Sequence, residues 1–496
     1  MSLFIGLDVG TQSVKLLAYD PDERRVVAIH GQPLELIAGD DGSREQRAEW
    51  WIDAIRACFT RLEPRQRERI AAIGVSGQQH GFVPLDAAGN VLAPAKLWND
   101  TSTSAECEEI MGAVGGARRC IELAGNPILA GYTASKLPWT REHRSQAYAQ
   151  LATILLPHDY VNFWLTGERW MEHGDASGTG WLDVRTRRWS PELLAATDSQ
   201  RDLGACLPPL VEADASFTIA PAIADELGLP RHVRIAAGGG DNMMAAIGTG
   251  NVAPGRLTMS LGTSGTLFAF AGQPVVDDNA GWAAFCSSTG GWLPLICTMN
   301  CTVATENVAR LFGFSSRDGE AVMADTAPGA GGLLILPFFN GERTPNLPRA
   351  RGGLFGMDPD NLSRGNVYRA AMEGATYSLR NGYDAFVGTG LRFDRISLTG
   401  GGSKSAAWRQ MVADVFDLPV DVPEQAEGAA FGAALQALWS HGRANGRDDS
   451  IAAVTAEHVR MDPLLSMRPD RAAVEAYRTH YQRFLRHLDA VTPLYT

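Results

Sequence analysis

The feature that most constrains the fold is a strand–turn–strand pattern that occurs twice in the sequence. Near its start, the β-type runs FIGLDV and VKLLAYD flank a short turn of Gly, Thr, Gln and Ser. The stretch from Leu257 to Phe270 repeats the design, with the turn Gly-Thr-Ser-Gly between two apolar runs. Apolar runs joined by such turns are typical of β-hairpins. The repetition predicts two related halves, each with one hairpin facing a shared cleft.

The turn of the first hairpin has the residues that a polyphosphate site needs. Gly10 allows close approach of a ligand to the backbone, and Thr11 and Ser13 offer hydrogen-bond donors. Asp8, at the end of the first strand, adds a carboxylate suited to hydrated Mg²⁺. This pattern favours a nucleotide polyphosphate, although at this point an ordinary surface hairpin with an Asp stays open.

An α/β architecture is predicted by the segments that follow the first hairpin. The apolar spacing over residues 46–62 predicts an amphipathic helix, and Ile70–Ser76 has the pattern of a buried strand. Further along, residues 151–164 have a helical pattern, whereas the GDASGTG stretch at 174–180 is interpreted as a simple connecting loop. The small-residue string EGAAFGAA predicts a helix that packs closely against other helices.

A polar tip follows the predicted Ile70–Ser76 strand. Gln79 and His80 stand there between two glycines. Ligands of α/β sheets bind outside the carboxyl ends of strands, and both side chains can donate to and accept from sugar hydroxyls. A structural role for His80 is the alternative. Trp98, in the string LWND, is either a sugar platform or part of a capped helix start.

A second polar tip is the string GGGDN, in which a β-type entry meets three glycines and then Asp241. We expect Asp241 at a helix start, where main-chain N–H groups and the helix dipole keep its carboxylate ionised at neutral pH. Such a carboxylate can accept a proton from a hydroxyl group. A plain helix cap is the alternative.

A third glycine-rich turn follows the predicted strand Ile396–Thr399 and precedes a predicted helix over residues 406–416. Its string GGGSKS lacks the spacing of a P-loop, because Ser403 separates the last glycine from Lys404. A flat glycine surface of this kind suits contact with a purine ring.

Composition excludes several classes of protein. The 496 residues allow two to four domains, and the formal net charge is −12 without a basic stripe, which argues against nucleic-acid binding. The seven cysteines are dispersed and form no CxxC pair, which favours reduced thiols over a disulfide framework or a zinc site. No targeting segment or membrane-length apolar run is present, so we expect a cytoplasmic protein.

Taken together, five strings in order resemble the FGGY carbohydrate kinase family, within the superfamily of actin, sugar kinases and Hsp70 ATPases. They are GLDVGTQSVK, GGGDN, LGTSG, LTGGGSKS and EGAAFGAAL. The resemblance implies an α/β fold of two actin-like (ribonuclease H-like) domains around a nucleotide and sugar cleft. It implies an N-terminal sugar-binding domain over residues 1–247 and a C-terminal nucleotide-binding domain over residues 248–496.

The resemblance also implies roles for individual residues. Asp241 would be the general base on the sugar hydroxyl, and Asp8 would be catalytic by placing Mg²⁺ and the phosphates. The sugar would contact Gln79, His80 and Asn242. The residues implied for ATP are Thr11, Gly262, Thr263, Ser264, Gly401 and Gly402.

Within the family, strings such as GQQHG, KLWND, LLPHDY and GERTP are most similar to members that act on D-xylulose. This implies ATP- and Mg²⁺-dependent phosphorylation of D-xylulose to D-xylulose 5-phosphate. It also implies a homodimer that binds a small-molecule sugar and has no nucleic-acid or membrane partner. A kinase for another ketopentose or polyol, such as ribulose or glycerol, is the alternative, and an actin- or Hsp70-like ATPase is a more distant one. Two positions depart from the bacterial pattern: Gln79 replaces a Met, and Thr101 follows WND where an Arg is common.

Overall fold

A computed structural model describes residues 2–495 and divides the chain into two compact units. The first unit contains the stretch ending at Val252, together with Phe270–Pro294 and Glu427–Val459. The second contains Ala253–Ala269, Leu295–Ala426 and the stretch from Arg460 onward. Both units therefore include segments from distant parts of the sequence. The division of the family domains at residues 247 and 248 stays a prediction.

The first unit is built on one twisted sheet with a parallel centre. The strand Leu3–Val9 pairs in parallel with Ile70–Gly77, which pairs in parallel with Arg234–Ala236 and with the short strand Gly239–Gly240. The sheet order across the other strands is Ser216–Thr218, Arg234–Ala236, Ile70–Gly77, Leu3–Val9, Ser13–Asp20 and Arg25–Pro33.

Helices and short strand pairs surround this sheet. The helices are Ala48–Thr60, Pro64–Arg67, Ser104–Val114, Ala117–Ala124, Thr133–His143, Ser145–Gln150, Pro157–Thr166, His173–Ala176, Pro191–Thr197, Leu203–Cys206, Pro221–Leu227, Asp241–Gly248, Gly428–Ala444 and Ile451–His458. The short strands are Ile37–Ala38, Arg44–Gln46 and Ala95–Lys96 in one sheet, and the pairs Val83–Leu85 with Thr153–Leu155, Met171–Glu172 with Leu210–Val211, and Leu182–Asp183 with Arg188–Trp189.

The second unit repeats the pairing pattern of the first. Its sheet order is Leu295–Thr298, Gly265–Ala269, Gly255–Leu261, Phe393–Thr399, Val420–Pro423 and Met461–Met467. Read from the Leu295–Thr298 edge, the pairings are antiparallel, antiparallel, parallel, parallel and antiparallel. The first unit has the same series when read from the Arg25–Pro33 edge. The two units thus share one sheet topology, as the repeated hairpins predicted.

The described helices of the second unit range from single turns to the 25-residue helix Arg364–Gly388. They are Thr302–Leu311, Ser316–Asp318, Gly319–Val322, Ala330–Gly332, Arg364–Gly388, Gly401–Lys404, Ala406–Phe416, Arg471–Val491 and Thr492–Leu494. A separate two-stranded sheet pairs Leu334–Leu336 with Gly353–Phe355. No helix among residues 2–495 is both long and apolar enough to cross a membrane.

Two predictions of local structure were wrong. Residues 151–164 do not form one helix: Thr153–Leu155 is a strand paired with Val83–Leu85, and the helix begins at Pro157. Pro157 cannot donate a helix hydrogen bond, so it suits a first helical position and ends the preceding segment. The GDASGTG stretch is not a simple loop either, because its first three residues are buried and belong to the short helix His173–Ala176.

Glycine positions bring the helix Gly428–Ala444 into main-chain contact with its neighbours. A Cβ atom on Gly6 would overlap the carbonyl oxygen of Ala430, and one on Gly74 would overlap that of Ala433. The same helix lies equally close to the helix Asp241–Gly248, where a Cβ on Gly432 would overlap the main chain of Met244. This packing confirms the close helix contact predicted from EGAAFGAA.

We predict that Gly432→Ala strongly destabilises the protein, because its methyl group meets main-chain atoms that cannot rotate away. Overpacking of a tight core typically costs about 1–3 kcal/mol, and rigid backbone neighbours place this site at the high end. Chemical denaturation of the wild type and the variant measures the change in the free energy of unfolding.

The matched control is Gly442→Ala in the same helix. A Cβ at Gly442 meets only the side chain of Arg447, at 3.5 Å or more. Replacing a helical Gly by Ala where space exists typically stabilises by about 0.4–1 kcal/mol. Equal effects of the two substitutions would contradict the proposed packing requirement.

Candidate active site

Three neighbouring strands of the first unit place polar side chains at one edge of the sheet. In the strand register, Asp8 lies beside Ser76, and Ser76 lies beside Gly239 on its other flank. Asp241 begins a helix directly after Gly240, the last residue of its strand. The carboxyl ends of these parallel strands therefore bring the first-hairpin Asp and the GGGDN Asp to the same edge, where α/β proteins bind ligands.

Asp8 is half-buried and hydrogen-bonded. Its carboxylate accepts from the Ser76 hydroxyl at 2.8 Å. Burial raises the pKa of Asp8, while the Ser76 hydrogen bond and the Lys15 charge partly offset that rise, and the Glu427 charge adds to it. Lys15 lies opposite Asp8 in the hairpin register and pairs with Glu427 at 2.5 Å. Asp8 thus belongs to a compact group of charges at the turn.

Asp241 occupies the first position of its helix, and Gly240 is the N-cap. One carboxylate oxygen of Asp241 accepts from the main chain of Asn242 at 2.8 Å and from the Asn242 amide at 3.0 Å. Burial, with a further contribution from the Asp8 charge, nevertheless raises the pKa of Asp241 to about 7. The prediction that Asp241 is simply ionised at neutral pH was therefore wrong, because the hydrogen bonds do not compensate for lost hydration.

Gln79 and Asn242 form an amide pair next to Asp241. The Asn242 Nδ2 group donates to Gln79 Oε1 at 2.8 Å, which orients the Gln79 amide with its nitrogen away from Asn242. Gln79 Nε2 is buried and has no hydrogen-bond partner among residues 2–495. Buried amide donors are normally satisfied, so this atom indicates a place for an acceptor from a ligand.

His80 is held in an unusual backbone conformation and between aromatic rings. Its φ is +65°, in the left-handed region that non-glycine residues rarely adopt. The imidazole lies 4.8 Å from the Tyr132 ring and 5.5 Å from the Phe285 ring, measured between centroids. Because strained backbone of this kind requires support from its surroundings, the His80 conformation is imposed by its neighbours.

A fully buried ionic group lies behind the His80 turn. His158 Nδ1 contacts Asp175 at 2.8 Å, and His158 Nε2 lies 2.9 Å from Asp159. Burial alone would lower the pKa of His158, but the two carboxylates hold it well above its ordinary value. The neighbouring Glu172 accepts hydrogen bonds from the main-chain N–H groups of Gly174 and Asp175. Burial raises the pKa of Glu172 to about 7.

Thr11 connects the phosphate turn to the Gln78 strand end. Its hydroxyl donates to Gln78 Oε1 at 3.0 Å and accepts from the Trp98 indole at 2.9 Å. Gln46 completes the connection by donating to the main-chain carbonyl of Thr11 and accepting from Gln78. Trp98 itself is 41% exposed. The Thr11 hydroxyl proton is therefore already engaged, and a phosphate contact would rely on its main chain.

The second unit brings its own two predicted loops together. The Gly262–Ser264 turn is fixed by hydrogen bonds from Thr302 N to Gly262 O and from Cys301 N to Thr263 O. Gly400 and Gly402 pack against Leu261, directly before that turn, whereas a Cβ on Gly401 would meet open space. Of the two glycines predicted to border adenine, Gly401 offers an open surface and Gly402 is required for packing.

The structure thus gathers Asp8, Thr11, Gln79, His80, Asp241 and Asn242 in the first unit, and Gly262, Thr263, Ser264, Gly401 and Gly402 in the second. Sequence reasoning missed Lys15, whose hairpin position opposite Asp8 was a usable signal. It also missed Asp175 and Lys136, because their contacts with the main chain of His80 join segments that are distant in the sequence.

Comparison with known proteins agrees with this geometry. Residues 3–248 match the N-terminal domain, and residues 257–441 the C-terminal domain, of the FGGY family of carbohydrate kinases. A xylulose kinase of Haemophilus influenzae is 39% identical over 495 residues, covering 98% of this chain and 99% of the relative. A xylulose kinase of Streptomyces coelicolor is 38% identical, covering 88% of this chain and 87% of the relative.

Two solved structures of kinases superpose on nearly the whole chain. A structure described as a "xyloylose kinase" from Brucella ovis superposes with a TM-score of 0.92 at 32% identity, covering 99% of this chain and 100% of that one. A glycerol kinase from Plasmodium falciparum with ADP, at 17% identity and a TM-score of 0.87, covers 98% of both chains and shares the fold. The chain belongs to the FGGY family of carbohydrate kinases.

Proposed function

We propose that this sugar kinase phosphorylates D-xylulose with ATP and releases D-xylulose 5-phosphate. The observation that carries the proposal is the arrangement of Asp241 beside the Gln79–Asn242 amide pair, at the strand edge shared with Asp8. This places a proton acceptor next to an unused buried amide donor. Relatives at 39% and 38% identity that are named xylulose kinase support the choice of sugar.

Asp241 acts in the proposal as the general base. A base is most effective when its pKa lies near the working pH, and burial raises the pKa of Asp241 to about 7. Asn242 holds one Asp241 oxygen through two hydrogen bonds, which leaves the other oxygen for the sugar hydroxyl. Gln79 Nε2 and His80 would bind further hydroxyl groups of the sugar and orient it.

The residues present fit a Mg²⁺ ion. Mg²⁺ prefers oxygen ligands and is commonly held by one or two carboxylates together with phosphate oxygens. Asp8 would hold it, with Asp241 adjacent. Burial raises the pKa of both carboxyls, and a bound cation would favour their ionised forms. Mg²⁺ bound with the nucleotide supplies charge neutralisation at the transferred phosphoryl group.

In the proposal, the nucleotide is bound by main-chain and hydroxyl groups. Thr263 is exposed and Ser264 is half-buried in their turn, so their hydroxyls are accessible to phosphate oxygens. Thr11 and Gly262 would contribute main-chain N–H groups, and the open surface of Gly401 would border the adenine, with Gly402 supporting the turn.

We also propose that the protein is a homodimer and that it acts in the cytoplasm.

A kinase for another ketopentose is the second candidate, and Gln79 is the observation that favours it. An amide at this position can bind a hydroxyl that the Met of the bacterial pattern cannot. ADP release should be measured with D-xylulose, D-ribulose, pentitols and glycerol. We expect the highest kcat/KM for D-xylulose. A higher value for another sugar would replace the substrate, and sugar-independent ADP release would favour an actin- or Hsp70-like ATPase.

We predict that Asp241→Asn lowers turnover about 10²–10⁴-fold, the usual contribution of a general base, while nucleotide binding persists.

The same variant should be more stable than the wild type near pH 8. Since the pKa of Asp241 is about 7 in the folded protein against an ordinary 3.8, the folded state binds more protons between these values. The free energy of unfolding therefore falls as the pH rises through this range, and the amide removes that loss.

Turnover and melting temperature of Asp241→Asn should be compared with those of the wild type at about pH 5 and pH 8. We expect the gain in melting temperature to be larger at the higher pH. Near-normal turnover would remove Asp241 from the role of base, and a lower melting temperature at pH 8 would show that the folded protein does not raise its pKa.

We predict that His80→Ala raises the KM for D-xylulose by about threefold to tenfold and leaves the KM for ATP unchanged. A lost neutral hydrogen bond is worth about 0.5–1.5 kcal/mol, which corresponds to this range. The effect should be smaller for an epimer that does not form the bond, so discrimination between D-xylulose and D-ribulose should shrink. A parallel rise in all three KM values would mean that His80 is structural.

A further inference from the structure

The main chain of His80 is held by side chains that are themselves fully buried. Lys136, in the helix Thr133–His143, has no exposed surface, and its ammonium nitrogen donates to the carbonyl oxygens of His80 and Gly131. Thr133, at the start of the same helix, donates its hydroxyl to the His80 carbonyl at 3.2 Å. One carbonyl oxygen thus accepts two hydrogen bonds from one helix.

The two carbonyls bound by Lys136 belong to segments that meet at the His80 ring. Gly131 precedes Tyr132, whose ring lies 4.8 Å from the imidazole of His80. Lys136 therefore ties the His80 turn to the segment that supplies its aromatic neighbour. Lys136 has no exposed side-chain surface, and both hydrogen bonds of its ammonium group go to main-chain carbonyls.

The chemistry of Lys136 suits a permanent link. Burial lowers its pKa to about 7, against the opposing effect of the Asp100 carboxylate. An ammonium group has three N–H donors and a neutral amine has two, which matches the two carbonyl acceptors. The link to His80 and Gly131 therefore persists in either protonation state of Lys136.

The other side of the turn is held by the short helix His173–Ala176. The main-chain N–H of His80 interacts with the Asp175 carboxylate, which also contacts His158 at 2.8 Å. A Cβ atom on Gly178 would overlap the His80 ring, so this segment also limits the imidazole sterically. The N–H and the C=O of His80 are thus each bound by a buried charged side chain.

We propose that Lys136, assisted by Thr133, is a positioning residue for sugar binding, which holds the His80 turn in its left-handed conformation and against the Tyr132 ring. This inference rests on the proposed function, because it assumes that His80 contacts the sugar. Lys136 acts only through the main chain of His80 and Gly131. Loss of the link lets the turn relax from φ +65° and moves both the imidazole and the adjoining Gln79 amide.

The kinetic test uses Lys136→Met, Thr133→Val and the double variant. Each substitution preserves approximate shape and removes donors to the His80 carbonyl. We expect Lys136→Met to raise the KM for D-xylulose about tenfold and Thr133→Val about threefold, with the KM for ATP unchanged. The double variant should change the KM by less than the product of the single effects, because both residues act on one oxygen atom.

Thr140→Val is the matched control. Thr140 is a buried residue of the same helix whose hydroxyl donates to a main-chain carbonyl, that of Lys136, and not to His80. We expect it to leave both KM values near those of the wild type. An unchanged KM for D-xylulose in Thr133→Val and Lys136→Met, or an equal rise for D-xylulose and ATP, would overturn the proposal.

Hydrogen exchange measured by mass spectrometry tests the link without any substrate. We expect the peptide that contains Gln78–Phe82 to exchange at least several-fold faster in Thr133→Val and Lys136→Met than in the wild type and Thr140→Val. This result would support the link even if D-xylulose proved to be the wrong sugar. Equal exchange in all four proteins would overturn it whether or not the wild type phosphorylates D-xylulose, so the two hypotheses fail separately.

Discussion

The candidate site depends on how closely the helix Gly428–Ala444 approaches its neighbours. Its main chain touches Gly6 in one strand, Gly74 in the next and the helix that begins at Asp241. Each neighbour carries a site residue at its end: Asp8 follows Gly6, and Gln79 follows Gly74. These main-chain contacts therefore set the relative positions of Asp8, Gln79 and Asp241. Interiors packed this densely transmit displacements of less than an ångström.

Burial opposes the ionisation of the acids at the candidate site of the first unit. Asp8 and Asp241 lie at adjoining strand ends, and Asp175 is buried behind them with His158 as its counter-charge. Burial raises the pKa of each of these carboxyls, and mutual repulsion adds to the effect for Asp241. In the proposed function, Mg²⁺ bound with the nucleotide would reduce this repulsion and favour the ionised carboxylates.

Much of the fold could be predicted because the hairpins, the Ile70–Gly77 strand and the Ala48–Thr60 helix have regular apolar patterns. The position of Gln79 and His80 just beyond a carboxyl strand end could be predicted from the Ile70–Ser76 pattern, whereas the approach of Asp241 to Asp8 depends on strand pairing that no local pattern gives. The role of Lys136 could not be predicted, since its contact with the His80 carbonyl joins residues 56 positions apart in the sequence. The raised pKa of Asp241 was missed for a similar reason: hydration in the folded state depends on neighbours that no local pattern specifies.

The late position of the helix Gly428–Ala444 in the sequence has a consequence for biosynthesis. This helix covers Gly6 and Gly74 in the central strands of the first unit, yet the ribosome makes it after most of the second unit. The central sheet consequently stays open on one face through most of translation. Native contacts between such distant segments carry a large loop-closure cost and form slowly. The growing chain exposes apolar strands in that interval, which is the period in which a chaperone has most to protect.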